Sequence, residues 1–540
     1  MNTVPTRLDE RGIHYYDVDL PRDLVAMLRQ TVAARGSKVA FVAGTQSTSW
    51  SNFGAEVEGL AARLVGSGVR PGERIAVLAE NGIPFTTGVF AIWTSGAIAV
   101  PLNSRLTPDD LCALLKDSGA RLLLVSTRMK QMAVEVVRAG ATGVQVEVTD
   151  DKGRFLGEVE PSNLPKKTPG TAAPALIMYT SGTTGRPKGV VISHGNALQN
   201  SVTCTEVVGR TSDERELVMV PQFNITGLCS QTVPVVHLGA TAILLDGFNA
   251  SSALDAIGAH GVTCTVGAPT MWWRMLEESD AHERTELSKL RLSLFGGAPM
   301  PTALLRRMER AMPEASFGNG YGMTETCSMI TYVGGKAVLA RPDSVGQPLP
   351  LTEIRLISPV TGELATPGEI GEIVVRGGQV AENYWTPTGI SALTDENGWV
   401  ATGDAAVLDD GYVVLRDRLK DVIKRGGESI FSFEVEDCLY QHQGILDAAV
   451  IGVPDEQYGE RVVAYVVAKP AHHLQTDQVR AFCQKSLARF KVPSEIVIGD
   501  ELPRNPGGKV IKSQLRERFI TSIPAPSENV AVLKGEKNEK

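Results

Sequence analysis

The stretch Thr180-Ser181-Gly182-Thr183-Thr184-Gly185-Arg186-Pro187-Lys188-Gly189 decides how this chain folds. An apolar run from Ala175 to Tyr179 leads into it and Val190-Val191-Ile192 leads out, so the loop is pinned between two buried strands. Gly182, Gly185 and Gly189 let the backbone reach φ > 0 and bring amide N–H groups close to a ligand, while four hydroxyls and two cations add donors. Such a surface suits phosphate. It is not a Walker A loop, because Pro187 and Gly189 stand where that loop needs glycine and a hydroxyl.

Around this loop, 540 residues are enough for at least two domains with full cores. Apolar content of 43%, charged content of 21% and a net charge of −8 describe a soluble globular protein, and the mild acidity argues against nucleic acid as a partner. The seven cysteines are scattered without C-x-x-C spacing, which points to reduced thiols in the cytoplasm and no zinc site. Met1 to Leu20 has no apolar core of a signal peptide. Phe85 to Leu102 is apolar but interrupted by Thr86, Thr87, Thr94, Ser95 and Pro101, so a buried helix running into a strand is expected there and not a membrane span.

Residues 20–130 alternate helical spacing, as in Val57-x-x-Leu60-Ala61-x-x-Leu64, with apolar runs such as Arg74 to Leu78 and Leu122 to Val125. That alternation predicts a doubly wound α/β region with parallel strands. Beyond the phosphate loop, strands repeatedly end in glycine turns, which is where α/β folds place ligands. Glu216 to Pro221 exits at Gln222-Phe223-Asn224-Ile225-Thr226-Gly227, and Leu292 to Phe295 exits at Gly296-Gly297-Ala298-Pro299. In Asn319-Gly320-Tyr321-Gly322-Met323-Thr324-Glu325 the tyrosine can stack on a base, Thr324 can meet phosphate, and Glu325 is a hard carboxylate suited to Mg²⁺.

From Ser344 the texture changes to short strands and turns, predicting a small β-subdomain that leads to Asp404 on a glycine turn, placed to accept ribose hydroxyls. Arg416 to Arg425 packs seven charges into ten positions and reads as a solvated linker. A compact unit of alternating helix and strand follows, closing with a Gly/Pro loop that presents Lys509. Pro524 to Lys540 is polar and expected to be disordered.

These motifs, in this order, resemble the adenylate-forming (AMP-binding) superfamily: the phosphate loop, Tyr-Gly-Met-Thr-Glu, Gly-Trp-x-x-Thr-Gly-Asp, Asp-Arg-Leu-Lys-Asp-x-Ile-Lys and the final Gly-Gly-Lys. The resemblance covers residues 20–520, and with no carrier domain after Lys509 the chain looks like a free-standing acyl- or aryl-CoA synthetase. It implies a domain over 1–417 holding the ATP and carboxylate site, a mobile α+β domain over 418–523, and a tail over 524–540. It implies that ATP, Mg²⁺ and coenzyme A are used.

Residue by residue, the resemblance gives Thr180, Ser181, Gly182, Thr183, Thr184, Gly185 and Lys188 to the ATP phosphates, and Gly297, Ala298, Pro299 and Tyr321 to adenine. Thr324 would touch the α-phosphate, Glu325 would hold Mg²⁺, and Asp404 and Arg418 would bind ribose. Lys420 would be the hinge, Lys509 the adenylation lysine, and Gly426 and Gly427 the lining of the pantetheine path. Asn224, Thr226, Ser230, Phe295, Gly320 and Gly322 would line the carboxylate pocket, the glycines leaving room at its floor and Phe295 supplying an aromatic wall. Asn224 departs from a common family pattern, which has histidine there, and an amide cannot titrate as histidine does.

The activity implied is ATP-dependent ligation of a fatty or aromatic carboxylic acid to CoA through an acyl-AMP intermediate, in a cytoplasmic enzyme for which a homodimer is a mild expectation. Two alternatives stand beside it. An acyl-AMP ligase would load a carrier protein instead of CoA, and an inactive nucleotide sensor would have had reason to lose Lys188, Glu325, Asp404 or Lys509, all of which are present.

Overall fold

The computed structural model describes residues 5–150, 153–154, 162–180, 187–469, 472–504 and 510–522. The chain divides into a large unit, Met1–Lys420, and a small one that begins at Asp421. Among the described residues no helix is long and apolar enough to cross a membrane. The apolar window at 85–102 is a buried helix, Ile83–Thr94, followed by the strand Ile98–Pro101.

Two large sheets make the core of the large unit. In the first, Arg74–Leu78 runs parallel to Ile98–Pro101 on one side and to Leu122–Ser126 on the other, and Gln145–Thr149 extends the parallel run. Strands buried on both faces read as unbroken apolar runs. Thus Ile75, Val77, Leu122 and Leu124 enter one apolar cluster, while Ala76, Leu78, Leu123 and Val125 enter another on the opposite face. The covering helix Trp50–Gly66 buries Trp50, Phe53, Val57, Leu60 and Leu64, one face at helical spacing, and the Ser49 side chain caps it by accepting from the Asn52 amide.

Among the described residues the second sheet has nine strands, with Arg215–Val218, Cys264–Gly267, Leu292–Gly296 and Ser316–Met323 parallel and adjacent. A third, antiparallel sheet holds Thr352–Ile357, Gly371–Gly377, Val400–Asp409 and Tyr412–Arg418. The mixed α/β class and the doubly wound core agree with the sequence reading.

The small β-region departs from that reading in one respect: it is not self-contained. The hairpin of Asn383–Thr386 and Gly389–Ala392 leaves it and joins the first sheet, antiparallel to Lys188–Ser193. Lys188–Ser193 turns back on Pro174–Thr180 and would otherwise present a row of unpaired N–H and C=O groups, so the hairpin covers an open edge. The charged run at 416–425 is also not a solvated linker. Arg416 to Arg418 ends a strand, Ile423–Arg425 is another, and Asp417 and Asp421 are buried, the latter accepting from Arg516 at 2.8 Å.

In the small unit, Ile445–Asp455 and Gly459–Ala468 form an antiparallel pair, with Glu495–Gly499 parallel to the second strand. Val435, Leu439, Val479 and Cys483, from the helices Ser432–Tyr440 and Thr476–Ser486, pack against one face of this sheet. Leu515 and Phe519 of Lys512–Ser522 pack against the other. The tail at 524–540 lies outside the described residues.

Candidate active site

Ser181, Gly182, Thr183, Thr184, Gly185 and Lys509 lie outside the described residues. The two ends of the phosphate loop are described. Thr180 closes one strand, Lys188 opens the next, and the two residues face each other in register. Gly189 is glycine for a packing reason, since a Cβ there would sit 2.8 Å from Ile177 Cγ2. The strand before the loop is anchored by the Tyr179 hydroxyl, which donates to Asp117 Oδ2 at 2.5 Å, while the Trp385 indole N–H donates to the Asp117 carbonyl at 3.0 Å. Lys188 is exposed, and its ammonium lies 5.1 Å from the centroid of the Tyr384 ring.

Ser316–Met323 delivers the next group. Thr324 and Glu325 sit in a single tight turn, Thr324–Thr326, at the end of that strand. The Thr326 hydroxyl fixes the turn, accepting from the Met323 amide at 3.0 Å and donating to a nearby carbonyl. Glu325 is 8% exposed and its Oε1 accepts from the Tyr384 hydroxyl at 3.2 Å, while its carbonyl accepts from the Ala381 amide at 2.8 Å. Tyr384 was not anticipated from sequence, where Asn383-Tyr384-Trp385 carries only an ordinary strand pattern.

Tyr321, on the same strand, donates its hydroxyl to Asp404 Oδ2 at 2.7 Å, and Arg418 Nε lies 3.4 Å from Asp404 Oδ1. Asp404 and Arg418 are cross-strand partners in the third sheet, so pairing itself sets their approach. Burial, then the Asp404 charge, pushes the Tyr321 phenol well above its ordinary range and keeps it a donor. Asp404 is 9% exposed, and each of its oxygens keeps lone-pair capacity for a further donor. Gly297, at φ 78°, turns the chain out of Leu292–Gly296, and Ala298 and Pro299 follow at the surface.

The residues that the resemblance assigns to the acid differ in kind. Thr226 and Ser230 lie on the π-helical turn Thr226–Thr232, and a Cβ on Gly227 would meet the Pro221 carbonyl oxygen at 2.3 Å. Gln222 locks the strand exit: its side chain accepts from the Gly82 amide at 2.9 Å and donates to Thr86 at 2.9 Å and Thr232 at 3.0 Å. Asn224 is half-buried on the turn, and its carbonyl accepts from the Leu228 amide at 3.1 Å. The Ser230 hydroxyl is hydrogen-bonded to that of Ser328.

Two expectations meet a different geometry here. Phe295 is 2% exposed and belongs to the apolar cluster of Met219, Trp272 and Met300, so its ring is core packing and not an open wall. Gly320 and Gly322 do not leave free room: a Cβ on Gly320 would lie 2.4 Å from Met329 Sδ, and one on Gly322 would lie 1.7 Å from the Ser328 carbonyl oxygen. Close approach of neighbouring strands requires both glycines.

Joined to Ser230 is a charged network that sequence reading missed. Arg210 is fully enclosed, donating to the Ser230 carbonyl at 2.6 Å and to Glu216 at 3.1 Å, while Gln231 donates to the same Glu216 oxygen at 3.0 Å. Burial pushes the Glu216 carboxyl up to about 7, against the pull of Arg210. A glutamate next to the buried Leu217 and Val218 in the strand Arg215–Val218 was the available signal, because a buried carboxylate needs a partner; which residue supplies it is not written locally.

The donor set fits a nucleotide and a hard cation. Among the described residues no three His, Cys, Asp or Glu side chains converge, so Glu325 would hold Mg²⁺ only together with phosphate oxygens. Gly426 and Gly427, at φ 59° and 88°, form the turn between Ile423–Arg425 and Glu428–Ile430 in the small unit. Lys420 is exposed at the end of the large unit.

Known proteins share this architecture. The model of the AMP-binding enzyme family matches residues 28–385, and that of the AMP-binding enzyme C-terminal domain matches 434–509. The feruloyl-CoA synthase of Amycolatopsis sp is 37% identical over 481 residues, which is 88% of this chain and 95% of that protein. The indoleacetate–CoA ligase of Aromatoleum aromaticum is 33% identical over 87% of this chain and 92% of its own length. The o-succinylbenzoate CoA synthetase of Bacillus subtilis, solved with its acyl-adenylate intermediate, superposes with a TM-score of 0.78 at 30% identity, covering 91% of this chain and 97% of that one. The same enzyme has been solved with ATP and a magnesium ion. This chain belongs to the AMP-binding enzyme family and is an AMP-forming acid–CoA ligase that uses ATP, Mg²⁺ and coenzyme A.

Proposed function

We propose that the acid is aromatic and that the large unit performs its adenylation. The names of the feruloyl, indoleacetate and o-succinylbenzoate relatives support an aromatic ring. A long-chain fatty acid is the second reading, supported by a long-chain-fatty-acid–CoA ligase of Mycobacterium tuberculosis that is 30% identical over 92% of this chain.

A carboxylate oxygen of the acid attacks the α-phosphorus of ATP, pyrophosphate leaves, and the acyl adenylate remains. The observation that carries the assignment of roles is the orientation of Asp404 by Tyr321 and Arg418, which presents a fixed carboxylate to ribose hydroxyls beside a ring for adenine. Lys188, Thr180 and the loop residues Ser181 to Gly185 bind the phosphates, and Thr324 binds the α-phosphate. Glu325 holds Mg²⁺, which when bound neutralises charge building on the departing phosphates. Donors fixed before reaction stabilise that charge without reorganising, the largest single contribution in such sites.

Gly297, Ala298 and Pro299 border adenine, and Thr226, Ser230 and Asn224 border the acid. The small unit turns about Lys420, so that Lys509 serves adenylation and Gly426 and Gly427 line the thiol path when CoA attacks the acyl carbon and AMP leaves. The seven cysteines, all free and buried, support a reducing compartment such as the cytoplasm. We expect a homodimer, which light scattering after gel filtration tests.

The assignment of acid class is tested by incubating the protein with ATP, Mg²⁺ and a panel of aromatic and aliphatic acids, with and without CoA. Hydroxycinnamate, arylacetate or arylpropionate conversion to thioester, with AMP and pyrophosphate released, is the expected outcome. Preference for unbranched chains of ten or more carbons overturns the aromatic reading.

A further inference from the structure

The two large sheets of the site are bridged by one side chain. Tyr384 sits opposite Val190 in the antiparallel pairing of Asn383–Thr386 with Lys188–Ser193. Side chains two apart on a strand share a face, so Lys188 and Val190 point the same way and Lys188 is the diagonal neighbour of Tyr384. An aromatic ring spans that diagonal, and the ammonium indeed lies 5.1 Å from its centroid. The hydroxyl at the far end of the ring reaches across to the second sheet and donates to Glu325 at 3.2 Å. The backbone repeats the link, as the Ala381 amide donates to the Glu325 carbonyl at 2.8 Å.

We propose that Tyr384 is a positioning residue for adenylation, fixing the metal-binding carboxylate of Glu325 with its hydroxyl and the phosphate-binding ammonium of Lys188 with its ring face. The proposal rests on the reading of Glu325 and Lys188 given above. Both groups must meet the same triphosphate, yet they come from different sheets and Lys188 is a long, exposed chain. A single aromatic residue touching both sets their separation and limits the freedom each loses when ATP arrives. A hydrogen bond to a carboxylate that bears a cation also keeps its second oxygen aimed at that cation.

The two ends of Tyr384 can be removed separately. Tyr384→Phe keeps the ring and loses the hydroxyl, and Tyr384→Leu loses both. ATP binding is read by titration calorimetry without acid, with and without Mg²⁺, and thioester formation is read from a supplied acyl adenylate and CoA. For Tyr384→Phe the gain in ATP affinity brought by Mg²⁺ falls about tenfold, the scale of one hydrogen bond to a charged group, with metal-free binding unchanged. For Tyr384→Leu metal-free binding weakens as well, and in both variants thioester formation from the adenylate stays at the wild-type rate. Loss of both half-reactions to the same degree in a variant with an unchanged melting temperature would mean a structural role and overturns the proposal. Glu325→Gln is measured alongside. If Glu325→Gln loses the effect of Mg²⁺ and Tyr384→Phe does not, the proposal alone fails; if Glu325→Gln keeps it, the reading of Glu325 fails and the proposal falls with it.

Discussion

At the proposed nucleotide end, Asp404 and Glu325 are carboxylates held by phenols that belong to other strands, and each keeps lone-pair capacity for a further donor. At the proposed acid end the polar groups are already engaged: Ser230 is bonded to Ser328, Gln222 is consumed by four partners, and Arg210 is buried with Glu216. The difference follows from the chemistry. On the proposed reading, triphosphate and ribose are constant and need charged groups at fixed places, whereas an acyl group would be selected by the shape that packing leaves, which the buried Arg210–Glu216 pair would support without touching the acid.

Substitutions at the two ends should therefore fail differently. The largest effect is expected at Arg210. Arg210→Met leaves Glu216 buried without its cation and should cost about 3–5 kcal/mol in urea unfolding, while adding Glu216→Leu should recover most of it. In whatever folded protein Arg210→Met yields, KM for the acid should rise more than KM for ATP; the reverse order breaks the comparison.

Next is Lys509→Ala, which should slow adenylation by about 10²–10³-fold, the scale of losing one charge-stabilising donor, while sparing thioester formation from a supplied adenylate. Equal loss in both steps would remove the division of labour between the two halves of the reaction.

A third test concerns His194, which opens the helix that follows the strand Lys188–Ser193. It is fully buried, its Nδ1 accepts from the Leu24 amide at 3.4 Å, and burial lowers its pKa to about 4. The folded value lies below the unfolded value of about 6.5, so the unfolded chain binds the extra proton first as pH falls. Stability from this group is intact above pH 6.5 and is lost progressively down to about pH 4, by about 3 kcal/mol in all. Urea unfolding at pH 7 and pH 4.5 should show a smaller difference in His194→Asn than in the wild type.

The smallest effect is Tyr321→Phe. Releasing Asp404 from its phenol should raise KM for ATP about tenfold and leave KM for the acid unchanged, which sharpens the separation between the ends. A matching rise for the acid would show that the strand Ser316–Met323 couples them.

The family and the proposed nucleotide-binding residues were legible in the residues themselves. Glycine, hydroxyl and lysine at fixed spacing in Thr180 to Gly189, and a carboxylate after Tyr321-Gly322-Met323-Thr324, are local patterns whose chemistry does not depend on what packs around them. The surroundings of the residues assigned to the acid were less legible. Phe295 lies in a strand buried on both faces, and nothing in Leu292-Ser293-Leu294-Phe295 says which face meets the core and which the ligand. The glycines at 320 and 322 looked like space but answer to Met329 and to the Ser328 backbone, partners met only once the strand Ser328–Gly334 folds back.

The sequence by itself determined the α/β periodicity and the order of the glycine turns that end its strands, because apolar spacing and glycine placement act through the nearest few residues. Tertiary structure alone decided that the hairpin from 383 to 392 would close the open edge beside Lys188, that Tyr384 would thereby reach Glu325, and that Arg210 would find Glu216. Those outcomes depend on which strand edge is left unpaired and which charge is left buried, and both are properties of the assembled sheets.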